Sequence, residues 1–292
     1  MSDDHEPFSH EIRVGTLLFR ATRNSTAQRG SEQTPVVLLH GFPQSQASWD
    51  GIMRDLDEVG IPALSFDQRG YSPGARPPGI EAYRIEHLVS DVVDVCRLSG
   101  YDRVQLVGHD WGATVAWEVA ARHPELVESL IALSVPHPAA FAWAAAHDRE
   151  QIERSWYVDF LKNDPSAVPA LAGDDGAGLR AGYGEVIDEP MVQRHLQVLL
   201  QPGALDAAIN WYRAATENPL TGSISVPTTL LWGDADEAVA RAGVERSAEF
   251  VAGDYRLVEL AGVSHWIPEH TPGRVVEEIL RRRARVLPRI AS

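Results

Sequence analysis

Apolar residues run along this chain in two rhythms. Short unbroken runs, at Val36-Val37-Leu38-Leu39, Ile61 to Phe66, Val104-Gln105-Leu106-Val107, Val127 to Leu133, Thr228-Thr229-Leu230-Leu231-Trp232 and Tyr255 to Leu260, predict buried strands. Between them, Trp49 to Val59, Tyr83 to Leu98, Thr114 to Arg122, Ala240 to Val251 and the segment from Thr271 read as helices. Ile12 to Ala21 reads as an antiparallel opening hairpin. Strand and helix in alternation predict a mainly parallel sheet with helices on both faces, an α/β class.

The alternation breaks after Val135-Pro136-His137-Pro138, where two prolines close the strand pattern. From there to about Asn218 the chain is rich in helix formers, tryptophan and charge, with a glycine-rich stretch at Gly173 to Gly184 and no strand signal. The expected organisation is a core over residues 1–136, a helical cap over 137–218 and the rest of the core over 219–292. A cap inserted between two strands would sit above their C-terminal ends, as a lid.

Bulk properties narrow the chemistry. The 292 residues, 44% hydrophobic, suffice for a large core, and the formal charge of -15 argues against nucleic acid or an anionic membrane surface as partner. Cys96 is the sole cysteine, so no intrachain disulfide can form. The polar start Met1-Ser2-Asp3-Asp4-His5-Glu6 lacks the pattern of a signal peptide and no apolar run is long enough to span a membrane, so a cytoplasmic location is expected. The basic cluster Arg281-Arg282-Arg283-Ala284-Arg285 ends a helical pattern and reads as a solvated helix terminus.

The segment Gly108-His109-Asp110-Trp111-Gly112-Ala113 carries the chemistry. It follows a buried strand and precedes a helix, the setting of a nucleophile elbow, and its glycines allow backbone to approach closely. Serine is the usual occupant. An aspartate attacking a saturated carbon forms an ester that water can cleave, whereas a serine would form a stable ether. Alone, the segment fits an ordinary turn with a helix-capping aspartate better, so partners elsewhere must decide.

Partners follow in the order that α/β-hydrolase sheets require, acid and then histidine. Asp236 stands directly after one predicted strand, with Asp234 as its local competitor, and His265 stands in the loop after the last strand. A neutral His265 can take a proton from water while Asp236 holds its ring. His40-Gly41-Phe42-Pro43 follows the first buried strand, so the backbone N–H groups of Phe42 and Trp111 are the expected oxyanion donors.

With Asp67-Gln68-Arg69-Gly70-Tyr71-Ser72 and His265-Trp266-Ile267-Pro268-Glu269, these motifs resemble the epoxide hydrolases of the α/β-hydrolase fold over almost the whole chain. The resemblance implies a small-molecule epoxide and water as reactants, with no cofactor and no metal. It also implies that Ser155-Trp156-Tyr157 and Asn210-Trp211-Tyr212-Arg213 supply two phenols, Tyr157 and Tyr212, to the departing oxirane oxygen, with Tyr183 a weaker candidate. The alternative is a haloalkane or haloacid dehalogenase with the same triad, its halide held by Trp111 and a lid tryptophan such as Trp143, Trp156 or Trp211.

Overall fold

A computed structural model describes residues 8–216 and 222–286. The start Met1 to Glu6, the expected cap end at Asn218 and the side chain of Arg285 lie outside the described residues. Strands β1 (Phe8–Val14), β2 (Leu17–Arg23), β3 (Val36–Leu39), β4 (Ala63–Phe66), β5 (Val104–His109), β6 (Val127–Leu133), β7 (Thr228–Gly233) and β8 (Tyr255–Leu260) form one sheet in the order β1-β2-β4-β3-β5-β6-β7-β8. The β1–β2 hairpin is antiparallel and joins β4 antiparallel, while every pairing from β4 to β8 is parallel.

Alternate side chains of the central strands supply two separate cores. Val36 and Leu38 of β3 join Ile52, Met53 and Leu56 of helix α2 (Asp50–Glu58) and Val275 and Ile279 near the chain end, whereas Val37 and Leu39 face the opposite layer. That second layer contains Val92 and Val95 of the helix Ile85–Leu98 and Val115 and Val119 of the helix Trp111–Arg122. Burial on both faces explains why these strands read as unbroken apolar runs.

Helix α1 is Ser25–Arg29, and the two helices just named are α3 and α4. Between β6 and β7 the chain makes α5 (Pro138–His147), α6 (Arg149–Arg154), α7 (Trp156–Asn163), α8 (Ala167–Tyr183), α9 (Glu189–Leu199) and α10 (Ala204–Ala214). Asp148 and Asp188 cap α6 and α9 by accepting from Gln151 N and Met191 N. The glycine-rich stretch opens with a kink inside α8, where Asp174, Asp175 and Gly176 all take positive φ, and is helical from there to Tyr183. The helix expected over Ala240 to Val251 is shorter, α11 (Arg241–Arg246) followed by a tight turn, and α12 (Ile267–His270) and α13 (Pro272–Val286) close the chain. No described helix is long and apolar enough to cross a membrane.

The basic cluster departs from expectation. Arg282 is buried, donating to Thr229 Oγ1 at 2.7 Å, to Asp254 Oδ2 at 2.6 Å and to the Thr228 carbonyl, while Arg283 reaches Thr34 O at 2.7 Å. Successive residues on a helix point about 100° apart, so one of three adjacent arginines has to face the sheet, where backbone and carboxylate acceptors satisfy it.

Candidate active site

The chain turns sharply from β5 into α4 at Asp110, whose φ of 53° and ψ of -123° lie in a region that costs a non-glycine residue about 1–3 kcal/mol. A Cβ at Gly108 would strike the Gly112 carbonyl, and one at Gly112 would strike the carbonyls of Leu39 and His40, so the bend closes only with glycine at both places. Asp110 occupies the N-cap position of α4, but its side chain makes no capping bond. The carboxylate instead points over the sheet end, where Oδ1 accepts from the Phe42 N–H at 2.7 Å and the Trp111 backbone N–H also stabilises its charge. Both expected oxyanion donors therefore address the same group.

The other oxygen, Oδ2, faces Nε2 of His265 at 3.6 Å. On the far side of that ring Nδ1 donates to Asp236, at 2.9 Å to Oδ2 and 3.1 Å to Oδ1. Asp236 is buried and also accepts from the N–H groups of Ala238 and Val239, whereas Asp234 is exposed and accepts from Gly262 N at 2.6 Å. Of the two candidate acids, only Asp236 touches the histidine.

Burial on its own would lower the pKa of His265, but Asp236 and then Asp110 outweigh it and raise the ring to about 10. Burial raises the Asp110 carboxyl, yet the hydrogen bond and charge of His265 pull it below the ordinary aspartate value. At neutral pH His265 and Asp110 form an imidazolium–carboxylate pair.

Across the site stand the two cap tyrosines. The rings of Phe42 and Tyr212 lie 5.5 Å apart, those of Trp111 and Tyr212 5.2 Å, and those of Tyr157 and Tyr212 6.3 Å, all edge to face. Burial, followed by the charge of Asp110, pushes both hydroxyls well above the ordinary phenol value. At neutral pH both stay protonated donors.

Tyr183 is committed elsewhere: its hydroxyl donates to the Pro43 carbonyl at 2.5 Å, tying the cap to the loop that carries Phe42. Among the lid tryptophans, Trp211 gives its indole N–H to Arg69 O at 2.9 Å, Trp156 is 70% exposed, and Trp143 lies under the Arg246 guanidinium and against His147. None of the three presents a free donor beside Trp111.

A supporting layer went unread in the sequence. The His265 carbonyl accepts from Ser134 Oγ at 2.7 Å and from His109 Nε2 at 2.9 Å, and Gln44 bridges His109 Nδ1 at 2.8 Å to Glu269 at 2.7 Å. Burial, and next the charge of His265, lowers the pKa of His109 to about 4, and a neutral ring donates to only one of the two oxygens it faces, the His265 carbonyl and Gln44 Oε1. A histidine beside Asp110 at the end of an apolar strand was the one available signal. Among the described residues no group of three or more His, Cys, Asp or Glu could hold a metal ion.

Comparison with known proteins agrees with this architecture. Residues 34–175 match the family model described as alpha/beta hydrolase fold. The chain is 32% identical to AB hydrolase superfamily protein YfhM of Bacillus subtilis over 264 residues, covering 87% of this chain and 92% of that one. With Epoxide hydrolase A of Mycobacterium tuberculosis the identity is 31%, over 88% of this chain and 93% of the relative. The crystal structure of Bacillus megaterium epoxide hydrolase in complex with an inhibitor superposes with a TM-score of 0.83 at 24% identity, over 94% of this chain and 100% of that one, a likeness of fold. Coverage of nearly the full length at this identity, on the topology described above, places the chain in the epoxide hydrolase family of the α/β-hydrolase fold.

Proposed function

We propose that the protein hydrolyses an epoxide to a vicinal diol through an ester on Asp110. The observation that carries the reading is the division of labour on that carboxylate. Oδ1 is held by the Phe42 N–H, Oδ2 faces His265, and the charge of the carboxylate reaches both cap tyrosines. Oδ2 attacks an oxirane carbon as the C–O bond of the ring breaks. The departing oxygen develops alkoxide charge, which Tyr157 and Tyr212 stabilise, one of them giving it a proton.

Ester formation removes the negative charge of Asp110, and with it one of the two groups that keep His265 protonated. His265 then passes its proton to the tyrosinate and becomes a base, oriented by Asp236. It takes a proton from water, and the hydroxide adds to the ester carbonyl, whose oxygen, Oδ1, carries the resulting charge against Phe42 and Trp111 N–H. Collapse expels the diol oxygen, the carboxyl proton passes to it, and the imidazolium–carboxylate pair is restored.

The haloalkane alternative needs a second indole N–H beside Trp111 and no proton donor. The engaged or exposed lid tryptophans and the two cap phenols, both raised in pKa by the charge of Asp110, favour the epoxide. The test is intact mass of His265→Gln after exposure to styrene oxide, with diol assayed in the wild type. A stable adduct of one substrate mass, lost when Asp110→Ala is added, is expected. Bromide release from bromoalkanes without diol from styrene oxide would instead establish the dehalogenase.

A further inference from the structure

The loop that carries the acid, residues 236–240, belongs to no helix or strand, and its inward side is satisfied by Asp236 itself, whose Oδ1 accepts from the N–H groups of Ala238 at 2.8 Å and Val239 at 2.9 Å. Its outward side meets helix α6 of the cap. Gln151, fully buried, donates from Nε2 to the Ala238 carbonyl at 2.9 Å and accepts at Oε1 from the Ala240 N–H at 2.8 Å, the pairing a neighbouring strand would give. Arg154 donates from Nη1 to the carbonyls of Asp236 and Val239, the latter at 2.8 Å, and pairs through Nη2 with Glu150.

From this contact we infer that Gln151 and Arg154 are positioning residues for ester hydrolysis: two cap side chains clasp the acid loop and so hold Asp236 to His265. Three carbonyls of the loop, at 236, 238 and 239, accept from cap donors, the last also from Trp232 Nε1 at 3.1 Å, and a carbonyl left without a donor costs about 1–3 kcal/mol, so loss of the clasp would set the loop moving to satisfy those at 236 and 238. Any such movement carries the Asp236 carboxylate, which sits at the start of the loop and 2.9 Å from Nδ1. Asp110 and Tyr212 receive no bond from the clasp, so alkylation does not depend on it directly. The two residues differ usefully: Arg154 touches the acid loop and its helix neighbour Glu150, while Gln151 also donates to Ser155 Oγ at 2.9 Å, two residues before Tyr157.

The inference rests on the proposed ester mechanism, and its test separates the half-reactions. Rapid-quench intact mass with styrene oxide gives the rates of ester formation and ester loss for the wild type, Arg154→Met, Arg154→Lys and Gln151→Met. In Arg154→Met, ester loss should slow about tenfold while ester formation stays within about twofold, so that the ester accumulates. Arg154→Lys, whose ammonium can still reach a carbonyl, should recover part of that loss, and Gln151→Met should slow both steps. Equal slowing of both steps in Arg154→Met, as a general loosening of the cap would produce, overturns the clasp, as does no change in either. Should Arg154→Met fail to fold, the lysine variant must show the same split at smaller size, and equal slowing there overturns it too. Absence of any ester even in His265→Gln defeats the function reading itself, and this inference with it.

Discussion

Replacing Asp110 by asparagine should drop the pKa of His265 from about 10 to near neutrality. The substitution removes one charge 3.6 Å from Nε2 and leaves shape, burial and the Asp236 contact in place. At an effective dielectric constant of about 20, two unit charges at that separation attract by about 4–5 kcal/mol, roughly three pH units of preference for the imidazolium. The sign is downward, because a lost carboxylate no longer favours the protonated ring and burial still opposes it. The assay is an NMR titration of imidazole carbon-bound protons, with the His265 signal assigned by its loss in His265→Gln, and intact mass used to exclude deamidation of the introduced amide. A His265 that titrates within about one pH unit of its wild-type value in Asp110→Asn would refute the reasoning, and with it the idea that alkylation creates the base. If the drop is found, the general base exists only once there is an ester for it to act on.

Further outcomes follow from the same geometry. Tyr212→Phe should slow ester formation about a hundredfold, with ester loss much less affected, in the same rapid-quench assay; Tyr157→Phe should act on the same step. His265 binds its proton more tightly folded than unfolded, so its contribution to stability is complete below pH 6.5 and is lost as pH rises through about 10. The melting temperature of the wild type should therefore fall over that window, and that of Asp110→Asn should fall less, as read by calorimetry. Arg282→Met strips donors from Thr229 Oγ1, the Thr228 carbonyl and Asp254 and should cost about 3 kcal/mol in a denaturant melt while leaving activity per folded molecule intact.

The core was legible because its physics is local and repetitive. Strands β3, β5 and β7 are buried on both faces, which forces the apolar runs that announce them, and Asp110, Asp236 and His265 each come soon after a strand. Asp236 and Asp234 looked alike because both follow β7 within three residues, and only the path of the Val263–His265 segment decides which one meets the ring. The cap was legible as helical and less so as six pieces: Asp148 and Asp188 mark two starts by side-chain capping, whereas Ser155 and Ser166 precede α7 and α8 without any capping bond. Gln44, Gln151 and Arg154 act over separations of 65 to 225 residues and carry no local signature, while His109 and Glu269 stand within the motifs but do not announce their partners. Arg282 misled because a charged residue at a helix end is ordinarily solvated, and here two strand threonines meet it.

The backbone grip on one oxygen of Asp110 has an isotopic consequence. If the held oxygen cannot exchange places with its twin, each turnover in heavy-oxygen water hands the attacking atom to the product and installs a solvent atom in the vacated position. The first diol released would then carry no label from solvent, the second would carry one complete equivalent, and every later one likewise. A carboxylate free to rotate would blur that step into a gradual rise, so the labelling of successive products records whether the group remembers which of its atoms came from water last.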